Sequence, residues 1–168
     1  MWSGLLVFAV SLLSACASAQ GITVAAAADL STALPEISEA FTKRTGQSVK
    51  LTFGSSGNLT TQIENGAPID VFFSADETYP NHLIGKGLAR KDSVQRYAVG
   101  RLLLWLPKDS PLDVEKVGIK ALLDVSVKKV AIANPLHAPY GRAAEAALRK
   151  LGVYDQVAAK LVLGENVS

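Results

Sequence analysis

Residues 49–76 read VKLTFGSSGNLTTQIENGAPIDVFFSAD, and this stretch decides the fold. Residues 49–53 (VKLTF) alternate apolar and polar side chains, the two-residue period of a strand. Gly54-Ser55-Ser56-Gly57 interrupts the run, and residues 58–64 then form a short helix stopped by Asn65-Gly66. Residues 69–74 (IDVFFS) read as a further strand, and Asp76 behind them is a natural helix N-cap. A helix that carries the chain from one strand to the next predicts parallel pairing, because antiparallel neighbours need only a short turn.

Working outward, the same unit recurs on both sides. Upstream, residues 22–27 (ITVAAA) form a strand and lead through Asp29 into a helical pattern. Leu30, Ala33, Leu34, Ile37, Ala40 and Phe41 recur at three- and four-residue spacing before Gly46. Pro35 removes a hydrogen bond if it lies beyond the first turn, so the regular helix begins near Thr32. Downstream, a helix bearing Tyr79, Leu83 and Ile84 is closed by Gly85 and Gly87. Residues 102–106 (LLLWL) are continuously apolar, which predicts a fully buried strand ended by Pro107, with Trp105 in the core. The change of pattern at residues 97–100 marks a lobe boundary. Residues 114–123 read as a helix, residues 130–133 as a strand, residues 134–140 as a loop and residues 141–151 as a helix ended by Gly152. A last apolar run, residues 161–163, leads into Gly164-Glu165-Asn166-Val167-Ser168, which reads as the approach to a further helix.

Bulk composition narrows the function. With 49% hydrophobic and 19% charged residues the chain can bury a core, and 168 residues suffice for one domain or two small lobes. Seventeen basic residues stand against fifteen acidic ones, a net of +2, and no basic run interleaves with aromatics, so a nucleic-acid partner is not expected. Residues 1–19 form an uncharged leader whose residues 4–13 have signal-peptide length and are too short to cross a bilayer. Ala17-Ser18-Ala19 before Gln20 fits a cleavage site, while Leu13-Ser14-Ala15-Cys16 fits a lipobox in which Cys16 would carry the lipid. Either reading places the protein outside the cytoplasm. Cys16 is the only cysteine, so the rest of the chain has no internal disulfide and no thiolate metal site.

In parallel sheets with helical crossovers, ligands bind where strand ends and helix N-termini converge. Helix N-termini present unpaired N–H groups and partial positive charge, which suits an oxyanion without any cationic side chain. Four such junctions are visible: Ala28-Asp29, Gly54-Ser55-Ser56-Gly57, residues 139–141 and residues 165–168. The second is the sharpest, since glycines permit close backbone approach and two hydroxyls can donate. Standing alone, it is better accounted for as a plain serine N-cap, which needs no ligand. There is no Walker A pattern, HExxH or GxSxG.

Taken together, ITVAAAADL, FGSSGNLTTQIENGAPIDVFFSAD, GRLLLW and VAIANPLHAPYGRAAEAALRKLG resemble, in order and spacing, the periplasmic molybdate-binding proteins of bacterial ABC transporters. The resemblance covers almost all of residues 21–168. It implies an α/β fold of two lobes, the type II periplasmic-binding-protein arrangement, with parallel-rich sheets, lobe 1 in residues 21–98 and an incomplete lobe 2 in residues 99–168. Family members continue well past this length, so the resemblance implies an amino-terminal fragment that retains ligand weakly or not at all. It implies a monomeric binding protein rather than an enzyme, with no cofactor, that delivers molybdate or tungstate to a membrane permease. The anion would be held by hydroxyls and backbone N–H groups at Ala28, Asp29, Ser56, Tyr140 and Val167, with a further tyrosine beyond Ser168 in some members. Sulfate or phosphate is the alternative ligand within the same fold. An exported serine hydrolase, using Ser55 or Ser56 with His137, is the alternative from another class.

One position departs from the pattern. Several members have serine where this chain has Asp29, and a carboxylate against a dianion is repulsive in a dry site. Either Asp29 turns away and caps its own helix, leaving backbone N–H groups for the anion, or its carboxylate coordinates the metal directly. His137 is expected to make loop hydrogen bonds, and Arg142 to be solvated on an exposed helix.

Overall fold

The computed structural model describes residues 21–167, so the leader and its lipobox at Cys16 lie outside the described residues. The described residues form five strands and six α-helices, with 3₁₀ segments between some of them. The strands are β1 (Ile22–Ala27), β2 (Val49–Gly54), β3 (Val71–Phe73), β4 (Val130–Ala133) and β5 (Leu161–Gly164). The helices are α1 (Ala33–Thr45), α2 (Ser56–Glu64), α3 (Thr78–Gly85), α4 (Val114–Val117), α5 (Pro139–Lys150) and α6 (Tyr154–Val157).

Two parallel sheets result, one in the order β2-β1-β3 and one pairing β4 with β5. Each has its own core. Val24, Ala26 and Leu34 anchor the first, with Leu51, Phe53 and Phe73 packed against them, and Leu122, Leu148, Val153 and Val157 anchor the second. This is the expected two-lobed α/β arrangement. β1 is the central strand of its sheet, and its last four residues are all buried. Alanine there (Ala25, Ala26, Ala27) suits a strand covered on both faces, where little room remains for side chains.

Register positions the loops. Ile22 pairs with Val49 and Ala27 with Gly54, so β1 and β2 end level and deliver Ala28 and Ser55 side by side. Ala26 pairs with Phe73, which brings Ser74-Ala75 to the same edge. In the second sheet Ala133 pairs with Gly164, and Asn134 N–H donates to the Gly164 carbonyl at 2.7 Å. In each sheet the parallel strands therefore deliver their following loops to one edge, where ligands of such sheets bind in general.

Helix boundaries follow local chemistry. Pro35 falls within the first turn of α1, where its missing N–H has no intrahelical acceptor to lose. Gly46 ends that helix in the left-handed region, φ 74°, donating to the Thr42 carbonyl. Leu59 of α2, fully buried, contributes about 1.5–3 kcal/mol by leaving water.

Three expectations are corrected. Residues 102–106 form no strand: they run irregularly, Leu103 is 80% exposed and Trp105 73%. Of this run Leu104 packs against the second core, and among the described residues no strand pairs with it, so the apolar run has no sheet to enter. Trp105 is accordingly not a core residue. The helix expected over residues 114–123 divides into α4 and a 3₁₀ stretch, Gly118–Leu123, because Gly118 takes φ 60° and leaves the helical region. Asp76 does not cap α3; it lies one residue outside Glu77 and accepts the Thr78 N–H in a local turn.

Candidate functional site

Three loops from the first sheet, Ala75 after β3 among them, and two from the second meet in one small cleft. It is lined by Ala28 and Asp29 after β1, Ser55 and Ser56 after β2, Ala138–Tyr140 at the start of α5, and Asn166-Val167 after β5. All five residues singled out in the sequence, Ala28, Asp29, Ser56, Tyr140 and Val167, line it together. They come from positions far apart in the chain, and the strand registers explain why they converge.

Ser56 opens α2 and is 1% exposed. Its Oγ accepts the Ala75 N–H at 3.0 Å, an arrangement that leaves the hydroxyl proton to be donated elsewhere. Ser55, one residue earlier, is the N-cap: its Oγ accepts the Asn58 N–H at 3.3 Å and lies 3.0 Å from His137 Nδ1. The two adjacent serines thus divide the work, one capping the helix and one facing the cleft. His137 makes the loop hydrogen bonds expected of it.

Asp29 does not cap its helix. It lies inside the 3₁₀ turn Ala28–Leu30, and neither that turn nor α1 has a side-chain cap. Its carboxylate instead accepts a long hydrogen bond, 3.5 Å, from the Tyr140 hydroxyl of the second lobe. Loss of solvation pushes the Asp29 pKa up, against the lowering effect of its own backbone N–H and of Tyr140. The same environment raises Tyr140, through desolvation first and then the Asp29 charge. Tyr97 is pushed up to about 12 by burial and by its charged neighbours, so it stays protonated and donates to the Ser74 carbonyl at 3.1 Å. One phenol, Tyr140, and one carboxyl with weakened acidity therefore border the cleft, while Tyr97 lines the groove beside it.

The cleft encloses about 10 Å³, room for about one water. Beside it lies a larger groove of about 1090 Å³ between β3, α3 and residues 88–100, reaching Asp29 and Tyr140 at one end. Phe72, Phe73, Leu83, Leu88 and Val94 give that groove an apolar wall, which offers a dianion no hydrogen bonds.

Sequence reading missed the contacts that join the lobes. Arg142 is not simply solvated: it bonds Asp76 at 2.6 Å and the Tyr79 hydroxyl at 2.8 Å. Burial works against its charge, but these two partners outweigh it and raise its pKa. Asn58 Nδ2 also donates to Glu165 Oε1 at 3.1 Å. Spacing along the chain cannot reveal such pairs, because 66 and 107 residues separate the partners.

Comparison with known proteins agrees with this architecture. The chain is 42% identical over 152 residues to the molybdate-binding protein ModA of Rhodobacter capsulatus, covering 90% of this chain and 59% of that protein. It is 39% identical to ModA of Azotobacter vinelandii, covering 94% and 61%. The solved Azotobacter vinelandii periplasmic molybdate-binding protein superposes with a TM-score of 0.79 at 37% identity, over 86% of this chain and 62% of that one. The chain thus spans about three fifths of the length of these curated relatives. Residues 22–168 match the family described as bacterial extracellular solute-binding protein, and the chain belongs to that family.

Proposed function

We propose that this chain is the substrate-binding component of a molybdate ABC importer, with tungstate as the nearest competing ligand. The observation that carries the reading is the convergence of Ala28, Asp29, Ser56, Tyr140 and Val167 on one cleft between two sheets. In this reading the Ser56 and Tyr140 hydroxyls and the backbone N–H groups at Ala28, Asp29 and Val167 hold the anion. Lobe 1 comprises residues 21–98 and lobe 2 residues 99–168. The molybdate-binding relatives support the choice of ligand.

Neutral donors suit a tetrahedral dianion. Each N–H or O–H gives a charge-assisted hydrogen bond, and the backbone N–H groups cannot accept one from a protonated oxygen. A cleft the size of one water must widen to admit four oxygens, so capture proceeds by parting and closing of the lobes. Selection then rests on cavity size, since molybdate oxygens reach further than those of sulfate. The closed form would present its surface to a membrane permease on the extracytoplasmic side, and the protein acts as a monomer. Among the described residues no helix is long and apolar enough to cross a membrane. Cys16 would supply a lipid anchor if the lipobox is used.

A hydrolase reading has one observation in its favour, the 3.0 Å contact between Ser55 Oγ and His137 Nδ1. Ser55 is buried and engaged as a helix cap, and among the described residues no carboxylate bonds to the imidazole to orient it. A serine-directed fluorophosphonate probe is expected to leave the protein unlabelled. Calorimetric titration of the full-length protein with molybdate, tungstate, sulfate and phosphate tests the main proposal. Tight binding of the first two and weak binding of the others is expected, and sulfate binding as tight as molybdate would refute it.

A further inference from the structure

Outside the anion cleft a second set of groups joins the lobes. Arg142 of α5 places one guanidinium nitrogen 2.6 Å from Asp76 Oδ2 and the other 2.8 Å from the Tyr79 hydroxyl. The same guanidinium stands 5.0 Å from the centre of the Tyr79 ring, within cation–π range. Tyr79 in turn donates to the His137 carbonyl at 3.2 Å, and that carbonyl also accepts the Gly57 N–H at 2.9 Å. Asp76, Tyr79 and Gly57 belong to the first sheet's loops and helices, while His137 and Arg142 belong to the second's. The backbones are in contact here: a Cβ on Gly57 would stand 2.7 Å from the His137 oxygen.

None of Arg142, Asp76 and Tyr79 lines the cleft. Among the described residues the other ion pairs stay within one lobe, Glu64 with His82 and Lys86 and Glu77 with Arg96 included. Arg149–Glu145 and Lys43–Glu39 link residues of one helix, whereas Arg142–Asp76 crosses between lobes with both side chains largely covered, 37% and 27% exposed. A partly desolvated pair with further hydrogen bonds on the guanidinium is worth more than an exposed one.

We propose that Arg142, Asp76 and Tyr79 form a clasp that holds the two lobes closed independently of the anion and so sets the rate at which a captured anion escapes. The second half of this statement rests on the proposed function; the first does not. A ligand enclosed between lobes leaves through the open form, so its release scales with the open fraction. Weakening the clasp raises that fraction without removing any group that touches the anion.

The test uses the full chain with spin labels at Lys43→Cys and Lys150→Cys, on exposed helix positions of the two lobes, in a Cys16→Ser background. Inter-label distances are measured without ligand by double electron–electron resonance. Arg142→Gln and Tyr79→Phe are expected to lengthen and broaden the distance distribution, and adding Asp76→Asn to Arg142→Gln to change it no further. If Arg142→Gln loses its circular dichroism, Tyr79→Phe decides, since it keeps the ring and removes only the hydroxyl. Distributions that superpose on the parent in the folded variants overturn the clasp. Stopped-flow release of molybdate is expected to quicken about tenfold in the same variants, the scale of one charge-assisted hydrogen bond. Opened lobes with unchanged release overturn the control of escape. A parent that takes up no molybdate sinks the proposed function, yet the distance measurement still decides the clasp.

Discussion

Ser56 and Asp29 stand at the two ends of what a single residue can say about this site. Ser56 is buried and its oxygen accepts the Ala75 N–H, which leaves its hydroxyl proton to be donated to a guest. Ser56→Ala is expected to lower molybdate affinity by roughly 10- to 100-fold, as removal of a hydrogen bond to a charged group does, measured by calorimetry. Asp29 acts in the opposite sense. Because its pKa is raised in the folded protein, the folded state holds the proton more tightly than the unfolded one. Stability contributed by this group is therefore present at low pH and lost as pH rises from the unfolded value through the raised one. Asp29→Asn is expected to remove that loss, so the variant melts no lower than the parent at neutral pH and its advantage disappears in acid. It is also expected to raise anion affinity at neutral pH by about tenfold, through removal of a like charge. A melting curve that falls for Asp29→Asn at neutral pH contradicts this account of the carboxylate. The place of Ser56 at a strand-to-helix junction was legible from its FGSSG setting. The partner of Asp29 was not, because Tyr140 lies 111 residues away and reaches it only after both sheets have formed.

At the scale of elements, short-range chemistry was readable and long-range support was not. The strand over residues 130–133 and the start of α1 beyond Thr32 follow from apolar runs, proline geometry and glycine stops, all local signals. Residues 102–106 show where that reasoning fails. A continuous apolar run becomes a strand only beside another strand, and here the second sheet consists of β4 and β5 alone among the described residues. Ser55 and Gly57 at the head of α2 test the loop's design. Ser55→Ala removes an N-cap and is expected to cost about 1 kcal/mol in chemical denaturation while leaving Ser56 in place. Gly57→Ala does something different. Its new methyl would collide with the His137 carbonyl and the Tyr79 hydroxyl, so each lobe keeps its fold while the closed approach is blocked. Anion affinity is expected to fall about tenfold or more with little change in circular dichroism. Unchanged affinity in Gly57→Ala would show that the two loops need not meet for capture.

For the whole molecule, the recurrence of strand, loop and helix was enough to foresee two parallel sheets with helices around them. The loops converge because parallel strands end on one side, and the pairing of Ala27 with Gly54 and of Ala133 with Gly164 makes those ends level. What the sequence could not disclose is how the halves grip each other, since that depends on contacts made after each half has folded. The central claim is that the cleft between the sheets captures molybdate. It is tested most directly by co-crystallising the full-length protein with molybdate and collecting diffraction data at the molybdenum absorption edge. One strong anomalous peak is expected between Ala28, Ser56, Tyr140 and Val167, within hydrogen-bond reach of Ser56 Oγ through its oxygens. A peak seated elsewhere, or none in crystals of protein that binds molybdate in solution, would contradict it.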